Sequence, residues 1–177
     1  AGAQLGIATG KPFTNLSSPT FDNAASDATS GLAQVCTGPV SPPTNCAPYS
    51  ASPTVALTAG EGLRAGYLQV IDAAGNASAI VTDTITVDQT LPVVTAVVLS
   101  STTGNQVYTQ GPNVNVGTTA SDANGLATIA LSNDGTSFGA PVAYAASVPF
   151  TLPTGDGAKT VWVRVTDVAG NASAAPY

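Results

Sequence analysis

The chain has 177 residues, room for one or two domains of ordinary size, and 44% of them are hydrophobic against 8% charged. That balance argues for a packed β-rich protein over a disordered one. A net charge of −6 with four Lys and Arg excludes nucleic acid as a partner, because so few cations cannot neutralise a phosphate track. No apolar run approaches the ~20 residues of a membrane-spanning helix.

Residues 1–12 open on AGAQLGIATG, an extended stretch. Ala1, Ala3, Leu5 and Ile7 share one parity, and Gly2, Gln4, Gly6 and Ala8 the other. The chain holds no Met and no His and begins on Ala. That is how a mature exported protein begins once its signal peptide has ended at a small residue, and it is also how a fragment freed of a tag begins.

Residues 13–89 read as a first domain. Cys36 and Cys46 flank TGPVSPPTN, and in an exported chain they are expected to form a disulfide closing a short loop, worth about 3 kcal/mol in the chain-entropy account. Two thiols without histidine make no zinc site. Ala59-Gly60-Glu61-Gly62 reads as a hairpin tip. In YLQVID (67–72) the alternation turns Leu68 and Val70 inward and Tyr67, Gln69 and Ile71 outward. Asp72, Gly75 and Asn76 belong to a D-x-A-G-N turn, where glycine accepts positive φ and the aspartate caps the turn amides. AIVTDTITVD follows, another alternating strand. Asp88-Gln89-Thr90-Leu91-Pro92 then forms a short, semi-rigid junction.

Residues 90–177 repeat the scheme. WVRVTDVAGN (162–171) answers YLQVIDAAGN (67–76) at a shift of 95, as do Leu152, Gly155, Gly157 and Val165 for Leu57, Gly60, Gly62 and Val70. SDANGLA (121–127) answers SDATSGLA (26–33) with one residue deleted. Asn133-Asp134-Gly135 marks a hairpin tip. Val161, Val163 and Val165 face one way, Trp162, Arg164 and Thr166 the other. Asp167 and Asn171 are the second turn's cap residues. After Asn171, however, only ASAAPY remains where the first copy runs into a strand. The pattern predicts an all-β protein of two tandem β-sandwiches, the second lacking its own last strand.

The signature V-x-V-x-D-x-A-G-N-x-S at Val161 to Ser173, its looser copy at Leu68 to Asp72, and T-I-T-V-D-x-T-x-P at Thr84 to Pro92 resemble the tandem immunoglobulin-like repeats of large bacterial surface proteins and adhesins. The resemblance implies immunoglobulin-like sandwiches and an extracellular, bacterial-surface setting. It further implies calcium held by aspartates at domain junctions, for which Asp88, Asp122 and Asp167 are the candidates, competing with a plain role in turns and solvated loops. Such domains serve as spacers, ligand binders and filament parts alike.

A sandwich missing its last strand presents an open groove, and a strand from another chain can fill it. Ala1, Ala3, Leu5 and Ile7 match Val81, Asp83, Ile85 and Val87 in parity, so the N-terminal segment is the expected donor strand. The first expectation is therefore a pilus-like filament, a homopolymer built by strand exchange. The alternative is two repeats of a long, calcium-stiffened adhesin. A competing reading keeps residues 1–9 at home as the first domain's own strand. Outward-facing Tyr67, Trp162 and Arg164 are candidates for lateral interfaces or for covers over neighbouring loops. Sequons stand at Asn15, Asn76 and Asn171. With no histidine, no P-loop, no Rossmann glycine fingerprint and no C-x-x-C, no enzyme is expected.

Overall fold

Val, Thr and Ile alternate with small polar residues through most of the chain, and these runs form the strands. The computed structural model describes residues 5–7 and 10–174, with β-strands and no α-helix among them. The chain divides into two compact units, residues 1–89 and 90–177.

The first unit contains β1 (Leu5–Ile7), β2 (Phe13–Thr14), β3 (Phe21–Asn23), β4 (Leu32–Gly38), β5 (Asn45–Pro48), β6 (Gly62–Asp72) and β7 (Val81–Val87). One sheet runs in the order β2-β7-β6-β4-β5, and the other pairs β1 with β3. Residues 51–57 continue that second sheet through Phe21 N–H to Pro53 O (2.8 Å), Val55 N–H to Pro19 O (3.0 Å) and Leu57 N–H to Ser17 O (3.0 Å). Phe21, Val35, Leu68, Val70, Ile85 and Val87 fill the core between the sheets. Leu68 and Val70 point inward, as the alternation requires, while Tyr67, Gln69 and Ile71 stay partly exposed. Cys36 and Cys46 sit opposite one another on β4 and β5 and are joined by a disulfide.

The second unit contains β8 (Val93–Ser101), β9 (Asn113–Ser121), β10 (Leu126–Ser132), β11 (Val142–Ala143), β12 (Ser147–Thr151) and β13 (Trp162–Asp167). Its sheets run β12-β9-β8 and β11-β10-β13 around a core of Val116, Ile129, Leu131, Val163 and Val165. Both units are β-sandwiches, and the second has a three-strand sheet where the first has five. The two strands without a described counterpart are those matching β2 and β7.

One sequence expectation changes here. Ala59–Gly62 is a turn but not a hairpin tip: the residues before it bond to 17–19 in one sheet, while β6 after it lies in the other. Turn chemistry fixes the reversal and leaves the destination of the next strand open. The N-terminal segment also has an in-chain place, since Leu5, Gly6 and Ile7 pair antiparallel with Asn23, Asp22 and Phe21. Ala1 and Ala3 lie outside the described residues.

Candidate functional site

The site follows from comparing β6 with β13. In β6, eleven residues are held by two strands: β7 pairs with Gly62 to Leu68 on one edge and β4 with Tyr67 to Asp72 on the other. Leu68, Gly66, Arg64 and Gly62 stand opposite Val81, Asp83, Ile85 and Val87. In β13 only six residues are in strand conformation, paired with β10 from Trp162↔Ser132 to Asp167↔Leu126. Its other edge meets no strand among the described residues. Residues 157–161, which match the first five residues of β6 at the shift of 95, belong to no strand. A ladder partner on only one side leaves that stretch without the hydrogen bonds that would extend it.

One end of the open edge is capped. Asp167 Oδ1 accepts the amides of Gly170 (2.7 Å) and Asn171 (2.9 Å), and Oδ2 accepts Asn171 Nδ2–H (2.8 Å). Gly170 holds φ +100°, a conformation glycine adopts without strain. The chain then doubles back, so that Ser173 N–H donates to Val165 O (2.9 Å) and Val165 N–H to Ser173 Oγ (3.3 Å). The first unit has the same arrangement at Asp72, Asn76, Ser78 and Val70. Past Ser78 the first unit continues into β7. Past Ser173, at Val163 and Val161, the second unit offers an edge.

Beside that edge lies a cleft of about 840 Å³. Leu99, Val114, Leu152, Tyr108 and residues 155–159 line it. Leu152 matches Leu57, which packs in the first core with Ile85 and Val87. The cleft thus corresponds to the place those two side chains fill in the first unit. Sequence reasoning found the missing strand but not this wall; the signal was present in the match of Gln106-Val107-Tyr108-Thr109 to Lys11-Pro12-Phe13-Thr14. An edge of unpaired backbone beside an apolar cleft is suited to binding an extended strand.

The aspartates divide by their neighbours. Asp27 Oδ2 accepts Ser30 N–H (2.8 Å), Ser30 Oγ–H (2.9 Å) and Gly31 N–H (2.8 Å). The Ser30 amide and hydroxyl hold its carboxyl below the ordinary 3.8. At Asp72 the Asn76 side chain and amide do the same, with Ser30 contributing. The matching loop of the second unit is one residue shorter and has no equivalent of Ser30. There Asp122 Oδ1 accepts Asn124 N–H (2.8 Å), while Oδ2 is buried without a hydrogen-bond partner. Carboxylate oxygens of Asp122 and Asp167 approach within 4.8 Å. Hard carboxylate oxygens, one of them unpartnered, suit calcium in kind. Asp88 is buried at the end of the first unit, its amide donating to Thr14 O (2.9 Å).

The remaining candidates have in-chain surroundings. The indole of Trp162 covers Gly135, where an added Cβ would stand 3.0 Å from Nε1. The Arg164 guanidinium lies 4.0 Å over the Phe138 ring. Both side chains therefore cover the loop that follows β10. Tyr67 is half-buried on the outer face of β6. Asn76 and Asn171 spend their side-chain amides on Asp72 and Asp167, and Asn171 is only 7% exposed. Asn15 is half-buried.

Comparison with protein-family models and with curated proteins finds no match. Among solved structures, the fibronectin(III)-like modules of Clostridium thermocellum CbhA are similar, with a TM-score of 0.58 over 96% of this chain and 89% of that one, at 12% identity. At that identity the likeness concerns the fold: an all-β chain of immunoglobulin-like sandwiches.

Proposed function

We propose that this chain is a structural, non-catalytic subunit of an extracellular pilus-like filament on a bacterial surface. The open edge of β13 on one copy takes residues 1–9 of another. The observation that carries this reading is the contrast between β6, completed by β7, and β13, with no strand on the same edge among the described residues. Leu5 and Ile7 would take the places of Ile85 and Val87, and Ala1 and Ala3 those of Val81 and Asp83. β7, the strand whose place the donated segment would take, spans seven residues. A strand of that length that buries two large apolar side chains is worth about 3–6 kcal/mol in transfer terms alone. The Cys36–Cys46 disulfide fits an oxidising, extracellular setting.

Sedimentation velocity tests the reading. The intact chain is expected to run as multi-copy species, and a chain lacking Ala1–Thr9 as single copies. Association of the truncated chain to the same extent would refute donation by the N-terminal strand.

A second reading, two repeats of a long surface adhesin stiffened by calcium, is favoured by one observation: the buried, unpartnered Asp122 Oδ2 close to Asp167. In that case Asp122 and Asp167 are calcium ligands, with Asp88 the third carboxylate offered by the sequence, and the chain remains single-copy.

A further inference from the structure

The groove of the first unit has two walls. β7 pairs antiparallel with β6 on one side and, on the other, in parallel with β2, where Phe13 stands opposite Thr86 and Thr14 opposite Val87. Thr86 N–H donates to Pro12 O (3.1 Å) and Asp88 N–H to Thr14 O (2.9 Å). The shift of 95 carries Pro12, Phe13 and Thr14 onto Val107, Tyr108 and Thr109. The structure supports that alignment independently: Leu152 N–H donates to Pro112 O (2.8 Å), as Leu57 N–H donates to Ser17 O (3.0 Å). Both donor and acceptor are displaced by the same 95 residues.

In the second unit no strand among the described residues stands against this wall. Thr14 is 5% exposed and Phe13 half-buried, whereas their counterparts Thr109 and Tyr108 are exposed, Tyr108 at 79%; Val107, like its counterpart Pro12, is exposed as well, at 76%. Two adjacent large apolar side chains at that exposure border the cleft that Leu152 and Leu99 line. The Asn105 carboxamide holds both amides, accepting Val107 N–H (2.8 Å) and Tyr108 N–H (2.9 Å), so the segment is already shaped.

We propose that Val107–Thr109 is the second wall of the acceptor groove. The donated strand of another copy pairs in parallel with this segment while pairing antiparallel with residues 157–163. This rests on the strand-exchange reading above and adds a register to it. With Leu5 and Ile7 in the places of Ile85 and Val87, Gly6 takes the place of Thr86. Gly6 N–H then donates to Val107 O, Ala8 N–H donates to Thr109 O, and Gly6 stands opposite Tyr108. The occupant is a second copy of this chain because its N-terminal segment has the parity that β7 shows in the equivalent groove, with its two large apolar residues at the same end.

A cross-linking pair tests the register. Residues opposite one another on neighbouring strands lie within the Cα separation a disulfide spans. Under mild oxidation a Gly6→Cys/Tyr108→Cys chain is expected to give a ladder of covalent oligomers on a non-reducing gel, the Cys36–Cys46 pair being already joined. A Gly2→Cys/Tyr108→Cys chain, four residues out of register, is expected to give no ladder. Sedimentation of the same samples separates the two ideas. Assembly without a ladder overturns the second wall and leaves strand exchange standing. Absence of assembly in both the variant and the native chain overturns both.

Discussion

In the first unit the Ser30 hydroxyl lies 2.9 Å from Asp27 Oδ2, and Ser30 also helps to keep Asp72 ionised. In the second unit the loop is one residue shorter, and Asp122 and Asp167 come within 4.8 Å without that donor. Two carboxylates at that range repel, and a buried oxygen without a partner adds a cost of about 1–3 kcal/mol. A divalent cation would relieve both. If the adhesin reading holds, millimolar calcium raises the melting temperature of the native chain by about 2–8 °C and leaves an Asp122→Asn chain unmoved. A native chain indifferent to calcium contradicts it. The D-x-A-G-N turns were legible at this scale, because their chemistry is local: the carboxylate, the glycine and the asparagine all lie within five residues. The shortened loop was legible too, but its consequence was not. Which oxygen loses its donor depends on a turn brought near from elsewhere in the unit.

β6 and β13 occupy matching positions in the two copies but differ in strand length, eleven residues against six. Alternation of apolar and polar residues announced both, since period two needs only the local chain. Where β13 would begin was not readable, because the length of an edge strand depends on whether a neighbour supplies hydrogen bonds. The same limit explains Ala59–Gly62: a glycine turn is visible, but the sheet that the next strand joins is set by packing. If the missing neighbour is the cause, supplying it in the same chain restores the length. A chain in which AIVTDTITV (residues 79–87) replaces everything after Ser173 is expected to extend strand structure back to residue 157. Its second unit should gain on the order of 3–6 kcal/mol in denaturant unfolding, the transfer value of one Ile and one Val. Equal stability of the two chains would mean that the second sandwich is complete as it stands.

For the whole molecule, the displacement of 95 residues ties the parts together. It identifies the edge that β7 covers in the first unit, the matching edge of β13 that no described strand covers, and the loop beside it. The duplication was readable from sequence, since landmark order survives when side chains drift. The pairing of Leu5–Ile7 with β3 was not distinguishable from donation, because one parity pattern serves both edges. Strand exchange requires β1 to leave that edge in favour of the groove of another copy, so the account stands or falls on whether filling the groove stops assembly. Negative-stain electron microscopy of the native chain beside the chain carrying AIVTDTITV after Ser173 decides it. Filaments from the native chain and single particles from the filled one are expected. Single particles from both, or filaments from both, would contradict the account.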